Sequence, residues 1–415
     1  MIEITLEEDL LNTAGVSLKV IGVGGAGSNA VNSMIASGDM NSVTFIVANT
    51  DAQALNQSPA HYKVQLGKKI TKGLGAGSNP EVGRRAAEED IDAIKDLLQH
   101  TDILFLTAGL GGGTGTGALP VIAQAAKEMG ILTVAVVTKP FTFEGKRRSK
   151  HAEEAFNSIK GIADTLIVVP NQKLLEISDP KISMLNAFAL SNDILKQGIK
   201  GISDIITRAG HINVDFADVR TIMKDTGMAI MGTGRSSGPD RARQAAIRAI
   251  SSPLLENASI HGAKGVLINI TGNDDLELQE IHEAASMVYE MVSPEANIIL
   301  GSVVDKSMGN EICVTIIATG LDHQPKVSAP VKPAIIEPVM APVVITQMEA
   351  TYSAPHHEAN PSAENIFSAQ SHHEAQAADE QHKTAAEEAF DMDDLDTPTF
   401  MRKRAAEQSA KTLDE

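Results

Sequence analysis

Leu106-Thr-Ala-Gly-Leu-Gly-Gly-Gly-Thr-Gly-Thr-Gly117 is the stretch on which the reading of this chain turns. Six of the nine residues from Gly109 to Gly117 are glycine. The apolar run Ile103–Leu106 leads in as a buried strand, and the helical pattern Ala118–Met129 leads out. Glycine permits close backbone approach, so successive N–H groups can turn inward as an anion nest. The first turn of the next helix adds unpaired N–H donors and the positive end of its dipole. With the hydroxyls of Thr114 and Thr116 at its rim, the stretch predicts a polyphosphate cradle. A surface linker would carry Ser, Asn or Pro, and none is present.

Upstream, residues 18–24 read as a strand ending in a second glycine cluster, Gly22–Asn29, with a helix predicted from Ala30. Gly22, Gly24 and Gly27 form a G-x-G-x-x-G. That match alone points to a Rossmann dinucleotide fold, with Asp51, after the strand Val43–Ala48, as the ribose acid. An NAD(P)-dependent oxidoreductase is therefore one alternative, and a non-hydrolysing nucleotide-binding scaffold another. A short strand, Tyr62–Leu66, precedes a third small-residue loop, Gly73–Pro80. Asn79 and Pro80 then open a helix predicted to run to Gln99. Downstream come a strand at Ile131–Val137, a helix at Glu144–Lys160 and a strand at Thr165–Val169. Apolar strands alternating with helices predict a parallel sheet covered on both faces. Ligands of such sheets bind beyond the carboxyl ends of the strands, where all three glycine loops would open. No G-x-x-x-x-G-K-[ST] occurs, which excludes a P-loop NTPase.

A long helical stretch, Met184–Ala209, reads as a spine, with Phe188, Ile194, Leu195, Ile199, Ile202 and Ile206 on its apolar side. A smaller α/β pattern follows. Its strands are predicted at Ala229–Thr233, Gly265–Thr271, Ile298–Val304 and Ile312–Ala318, and its helices at Asp240–Ile250 and Leu276–Met291. At Gly320 the composition breaks: all 33 glycines lie at or before it, and eight of the 17 prolines lie after it. The expected organisation is a flexible segment 1–15, a Rossmann-like parallel-sheet domain 16–183, a central helix with an acidic loop 184–220, and a second, smaller α/β domain 221–320. A disordered linker, 321–390, and a C-terminal docking peptide, 391–415, complete it. In that peptide four acids, Asp391, Asp393, Asp394 and Asp396, flank Leu395 and precede Pro398, Phe400 and Met401, and three bases follow. The pairs His356-His357 and His372-His373 read as solvated polar residues of the linker.

Whole-chain properties narrow the partners. The 415 residues carry a formal charge of −18, which argues against a nucleic-acid partner. There is no Trp, and Cys313 is the only cysteine, which excludes an intrachain disulfide and a cysteine-based zinc site. The acidic N-terminus lacks the features of a signal peptide, and no apolar run nears the ~20 residues that span a bilayer. A cytoplasmic protein without direct membrane insertion is expected.

Three groups carry further chemistry. Glu144 and Arg148 form an i, i+4 pair suited to a ribose and a phosphate, or to a plain surface ion pair. Phe188, Asn192 and Asp193 put an aromatic plane beside groups able to pair a base edge, and a carboxylate favours guanine; Phe188 as simple core is the competing reading. Asp215 and Asp218 lie three apart near a helix start, where acids are stabilised in any case. A spine of ~26 residues is roughly 39 Å long, so those acids would sit at the far end of the molecule from the glycine loops.

G-L-G-G-G-T-G-T-G at 109–117 is similar to the tubulin signature loop. With G-G-A-G-S-N at 24–29, N-T-D-A-Q-A-L at 49–55, F-E-G-K-R-R at 143–148 and N-V-D-F-A-D-V at 213–219, the chain resembles the tubulin/FtsZ GTPase family over residues ~15–320. Its tail resembles the C-terminal docking peptide of that family. The resemblance implies GTP or GDP with Mg²⁺ at the phosphates, and head-to-tail self-assembly into filaments of a mid-cell division ring. It also implies attachment to membrane-anchoring and regulatory division proteins through residues 391–404, beneath the inner membrane. By motif it assigns Gly25, Ala26, Gly27, Ser28, Asn29, Asn49, Gly75, Ala76 and Gly77 to the nucleotide, with Gly111, Gly112, Gly113, Thr114, Gly115, Thr116 and Gly117. Glu144, Arg148 and Asn171 fall at the ribose end, and Phe188, Asn192 and Asp193 at guanine. Asp215, Asp218 and Asn213 complete the next subunit's site. Ala26 and Ser28 stand in a loop often richer in glycine in that family.

Overall fold

The computed structural model describes residues 15–177, 181–208, 210–255 and 260–321. The expected N-terminal segment, linker and docking peptide lie outside the described residues. In chain order the elements are β1 (Leu18–Val23), α1 (Gly24–Ser37), β2 (Val43–Asn49), α2 (Ala52–Gln57), β3 (Tyr62–Gln65) and α3 (Lys68–Thr71). Next come α4 (Pro80–Glu89), α5 (Ile91–Leu98), β4 (Ile103–Gly109), α6 (Thr114–Glu128), β5 (Leu132–Lys139), α7 (Lys146–Lys160) and β6 (Thr165–Pro170). Then α8 (Asn171–Ile177), α9 (Met184–Thr207), α10 (Phe216–Met223), β7 (Gly227–Ser237), α11 (Arg241–Ile250) and β8 (Gly265–Gly272) follow. The series closes with α12 (Leu278–Tyr289), β9 (Asn297–Val304) and β10 (Glu311–Thr319).

All ten strands join one sheet in the order β3-β2-β1-β4-β5-β6-β7-β10-β8-β9. Pairing is parallel from β3 through to β7. β10, the last strand among the described residues, slots antiparallel between β7 and β8, and β9 pairs parallel with β8. Strands of the parallel half are apolar on both sides because helices cover both faces. On one face Val20, Phe105 and Val134 meet Val31 and Met34 of α1 and Leu195, Ile199 and Ile202 of α9. On the other, Ile21, Leu104, Leu106 and Val137 meet Ala86, Ile94, Ile122 and Ile159. A third cluster packs Val266, Ile268 and Val314 against Ala245, Ala249, Ala284 and Val288 of α11 and α12.

The two halves of the sheet meet along a short seam. Only Thr165, Leu166 and Ile167 of β6 pair with Gly227, Met228 and Ala229 of β7. Asp164 braces it: its carbonyl accepts from Thr226 and Gly227, and its carboxylate accepts from Thr133 N at 2.9 Å.

Several expected boundaries move, each for a physical reason. α1 starts at Gly24 rather than Ala30, so the second glycine cluster is the first turn of the helix and not a loop before it. The helix expected to run from Pro80 to Gln99 breaks at Asp90, whose carboxylate accepts from Gly67 N at 2.6 Å and holds its backbone off helical geometry. α7 begins only after Gly145, at φ 98°, and Glu144 belongs to a 3₁₀ turn, Thr142–Glu144.

Candidate functional site

The three glycine segments meet at the carboxyl edge of the parallel strands. Gly24, at φ 71°, turns the chain from β1 into α1, and a Cβ there would stand 2.8 Å from Gly115 N. A Cβ on Gly113 would stand 2.9 Å from both the Ala76 methyl and Asn79 N, so the loop before α6 lies directly on the third loop. Hydroxyls lock the arrangement: Thr50 Oγ1 and Thr114 Oγ1 are 2.7 Å apart, and Thr116 Oγ1 accepts from Gly111 N at 2.9 Å. Gly75 N donates to Thr50 O at 3.3 Å.

What the helix starts lack is as informative. α2, α4 and α9 begin with their own caps: Asp51, Asn79 and Ser183 accept from first-turn amides. α1 and α6 have no side-chain cap and no acid in the first turn. Their unpaired N–H groups and positive dipole ends face the same place, with Gly25, Ala26 and Asn29 exposed around them. The buried hydroxyls of Ser28 and Thr107 also lack protein partners among the described residues. Two uncapped helix starts side by side form a binding place for a multiply charged anion.

Asp51 is spent elsewhere. Its carboxylate accepts from Gln53 N at 2.9 Å and Ala54 N at 3.1 Å, capping α2, so the ribose-acid role in a dinucleotide site falls away.

The cradle continues into an aromatic and polar wall. Gly111 lies against the backbone of Arg148, in the first turns of α7. Arg148 Nη1 donates to Glu144 Oε2 at 2.5 Å, while Glu144 Oε1 accepts from Phe141 N at 2.9 Å. Phe141, fully buried, stacks on exposed Phe143 at 5.0 Å and meets Phe188 edge-on at 5.4 Å. Asn171, at the start of α8, accepts from Ser191 Oγ of α9 at 2.8 Å, and both are buried. Half-buried Asn192 and Asp193 follow on α9; Asp193 has only a loose pair with Lys196 at 3.9 Å. Among the described residues Glu144, Arg148, Asn171, Phe188, Asn192 and Asp193 are thus brought together at one end of α9, next to the glycine loops. Sequence reading overlooked Thr50 and Phe141. The signal for each was present, in N-T-D at 49–51 and in the spaced aromatics of P-F-T-F.

Asp215 and Asp218 lie elsewhere. Asp215 is the N-cap residue of α10 and Asp218 is in its first turn; both are exposed, with no side-chain partner among the described residues. Exposed Asn213 turns its Oδ1 to Gly210 N at 2.8 Å. The position of α10 follows from its neighbours. Arg220 reaches the Gly130 carbonyl, just past the end of α6, and Arg208, just past α9, donates to the Asp39 carbonyl, just past the end of α1. Both α1 and α6 start at the cradle and are 14 and 15 residues long. The acids therefore sit at the other edge of the sheet, roughly 20 Å or more from the uncapped helix starts of the same chain.

A parallel sheet bearing an anion cradle of two uncapped helices, with an aromatic and carboxylate wall at one end of a long central helix, defines a tubulin-like nucleotide-binding protein. Comparison with known proteins agrees: residues 17–179 match the GTPase domain of the Tubulin/FtsZ family and residues 227–322 the C-terminal domain of the FtsZ family. An empty FtsZ dimer from M. jannaschii is 42% identical, with a TM-score of 0.72, over 76% of this chain and 91% of that one. CetZ2 from Haloferax volcanii, solved as a GTPγS-bound protofilament, shares the fold at 19% identity and a TM-score of 0.63, over 75% of this chain and 95% of that one. The chain belongs to the tubulin/FtsZ family and is a GTPase of FtsZ type.

Proposed function

We propose that this protein polymerises head to tail and hydrolyses GTP at a site shared between adjacent subunits. The observation carrying the reading is the separation just described: an anion cradle whose two helix starts carry no acid in their first turns, and two exposed acids at the opposite edge with no side-chain partner among the described residues. The cradle of Gly25–Asn29 and Gly111–Gly117, with Asn49 and Gly75–Gly77 around it, holds the phosphates. Glu144, Arg148 and Asn171 take the ribose end, and Phe188, Asn192 and Asp193 take guanine. Asp215 and Asp218 of a second copy, with Asn213 beside them, stand over the γ-phosphate and orient the attacking water, accepting its proton as it adds to phosphorus while the bond from phosphorus to the β,γ-bridging oxygen breaks and GDP leaves with that electron pair. Hydrolysis then requires assembly.

Mg²⁺ fits such a site. Among the described residues no three His, Cys, Asp or Glu side chains cluster to chelate a metal. Mg²⁺ commonly keeps its waters and binds through substrate phosphates, and the oxygens of Thr50, Thr114 and Asn49 are the protein atoms at hand. When bound it neutralises phosphate charge.

In this reading residues 16–183 form the GTP-binding domain, 184–220 carry the helix and the acids, and 221–320 form the second domain. Residues 321–390 tether the 391–415 segment, which binds membrane-anchoring and regulatory partners through 391–404 at mid-cell beneath the inner membrane. No helix of the described residues is long and apolar enough to cross a membrane.

Phosphate release per subunit as a function of protein concentration tests the shared site. Wild type is expected to show a threshold. Asp215→Ala should bind GTP normally yet turn over ~10²–10⁴ more slowly, the usual loss for such a group. Mixing it with Thr114→Ala, weak in binding but with intact acids, should restore part of the activity. Equal specific activity at high dilution, with no rescue on mixing, would place the acid within one chain.

A further inference from the structure

The segment that carries Asn213 and Asp215 lies along the edge of β9. Gly210 meets that strand so closely that a Cβ there would overlap Ser302 O. Ile212 N donates to Ser302 Oγ at 3.2 Å, and Ile212 O accepts from Ser302 N at 3.1 Å. At Asp215 the backbone is still extended, φ −72° and ψ 147°, before α10 begins. Extended chain points successive side chains to opposite sides, and exposure follows that alternation. Ile212 packs against the cluster of Val266, Ile268 and Val314, and Val214 is buried in that of Val20 and Phe105. His211, Asn213 and Asp215 are exposed. His211 thus shares its exposed side with two residues of the proposed shared site, and that site as described makes no use of it.

The reaction has a use for such a group. Bringing Asp215 and Asp218 to a triphosphate sets like charges together, and donors aimed at the γ-oxygens stabilise the charge they carry during transfer. Of the three basic side chains from Arg208 to Arg220, two are occupied. Arg208 is held by Asp204, Asp305 and the Asp39 carbonyl. Arg220, about 200° round α10 from Asp218, turns to the Gly130 carbonyl and the Phe216 ring. The imidazole of His211 has no partner among the described residues. At about 3.3 Å per residue its Cα lies roughly 13 Å from that of Asp215, with Asn213 midway, a gap that side chains converging from both ends can close over one phosphate chain.

We infer, on the head-to-tail reading above, that His211 is a further member of the shared site and donates a hydrogen bond to the γ-phosphate of the GTP held by the neighbouring subunit. The imidazole transfers no proton: the water's proton goes to the acids, and His211 holds a γ-oxygen while the phosphoryl group passes from GDP to water.

GTP turnover per assembled subunit tests this, with sedimentation giving the assembled fraction. His211→Ala should bind GTP as wild type does when dilute, because its own cradle is intact, yet turn over about tenfold or more slowly once assembled. His211→Leu, close to histidine in size but without a donor, should be as slow, so the loss is not one of loop packing. His211→Gln keeps a donor and should recover part of the rate. Mixing His211→Ala with Thr114→Ala should also recover part, because the second variant's intact His211 then stands over the first variant's intact cradle. Wild-type turnover in His211→Ala would overturn the inference. A slow rate that mixing leaves unchanged would do so too, since the imidazole would then act within its own chain. A raised assembly threshold with wild-type turnover per assembled subunit would make His211 an assembly contact and refute the γ-phosphate role. The Asp215→Ala mixture separates this from the reading beneath it. If that mixture is rescued while His211→Ala stays fast, only the role of His211 falls; if it is not rescued, the shared site falls and His211 with it.

Discussion

Lys200→Met is expected to cost about 3 kcal/mol of folding stability while leaving the nucleotide end of α9 untouched. Lys200 sits near the far end of that helix, in a cluster of two cations and three carboxylates. Its Nζ is 2.6 Å from Asp204, 3.6 Å from Asp39 and 3.8 Å from Asp305. Arg208 holds the same group from the other side, 3.1 Å from Asp204 and 3.0 Å from Asp305. These contacts tie the end of α1, the end of α9 and the end of β9 together. The Asp204 side chain is 4% exposed and that of Lys200 16% exposed, so solvent screens their pair little. At an effective dielectric near 20, each pair at ~4 Å is worth about 4 kcal/mol of Coulomb energy, much of it offset by desolvation. Removing the lysine leaves three carboxylates around one guanidinium. The loss of a buried pair, ~3–5 kcal/mol, applies at its lower end because Asp39 keeps contact with water. Urea unfolding gives the measurement: the midpoint should fall with the m-value unchanged. Asp39→Asn added to Lys200→Met should recover part of the loss by removing one of the crowded charges. A Lys200→Met protein that unfolds at the wild-type urea concentration would refute the reasoning.

Acid should act on the same cluster with a defined sign. Burial alone would raise Asp39 and Asp305, but at Asp39 a hydrogen bond from Ser37 and the charges of Lys200 and Lys196 outweigh it, and at Asp305 hydrogen bonds from Ser307 and the charges of Arg208 and Lys200 do, so both carboxyls lie below their ordinary value. Their contribution is present above the unfolded value and is lost as pH falls through the folded one, so melting temperature should decline below about pH 4. Asp204, raised by burial against the pull of Lys200, works in the opposite sense, since its protonation favours the folded state. An Asp39→Asn, Asp305→Asn double variant should show a flatter acid limb, and a limb as steep as wild type would contradict the assignment. At the nucleotide end, Asp193→Ala should weaken GTP by ~1–3 kcal/mol, the scale of a hydrogen bond to a charged group, and leave ATP unchanged. Titration with both nucleotides checks it, and an unaltered preference for GTP would remove Asp193 from base recognition.

Much of this was legible before any coordinates. Uninterrupted apolar runs such as Ile103–Leu106 and the glycine loops after them indicated a parallel sheet with ligands at its carboxyl edge, because burial on both faces leaves a plain mark on sequence. Asn79-Pro80 marked the start of α4 because cap chemistry is local. What escaped depended on partners far along the chain. The break at Asp90 exists because its carboxylate is taken by Gly67, and α1 starts at Gly24 because the loop packs on Gly115. Asp51 is the opposite case, a local competition: its spacing suited a ribose acid, but the amides two and three residues on claim its carboxylate.

The placement of β10 bears on how the protein is synthesised. A ribosome releases all six strands β1–β6 before the first residue of β7, and across the three-pair seam the earlier strands can close their sheet without waiting for the later ones. The later half has no such freedom. β7 and β8 are both complete while the strand that separates them is still unmade, and each then presents a row of unpaired N–H and C=O groups. Only Glu311–Thr319, arriving last, fills both edges at once. A nascent chain stalled or cut before Glu311 therefore carries two open apolar edges, each a template for pairing with another chain, and aggregation is its expected fate.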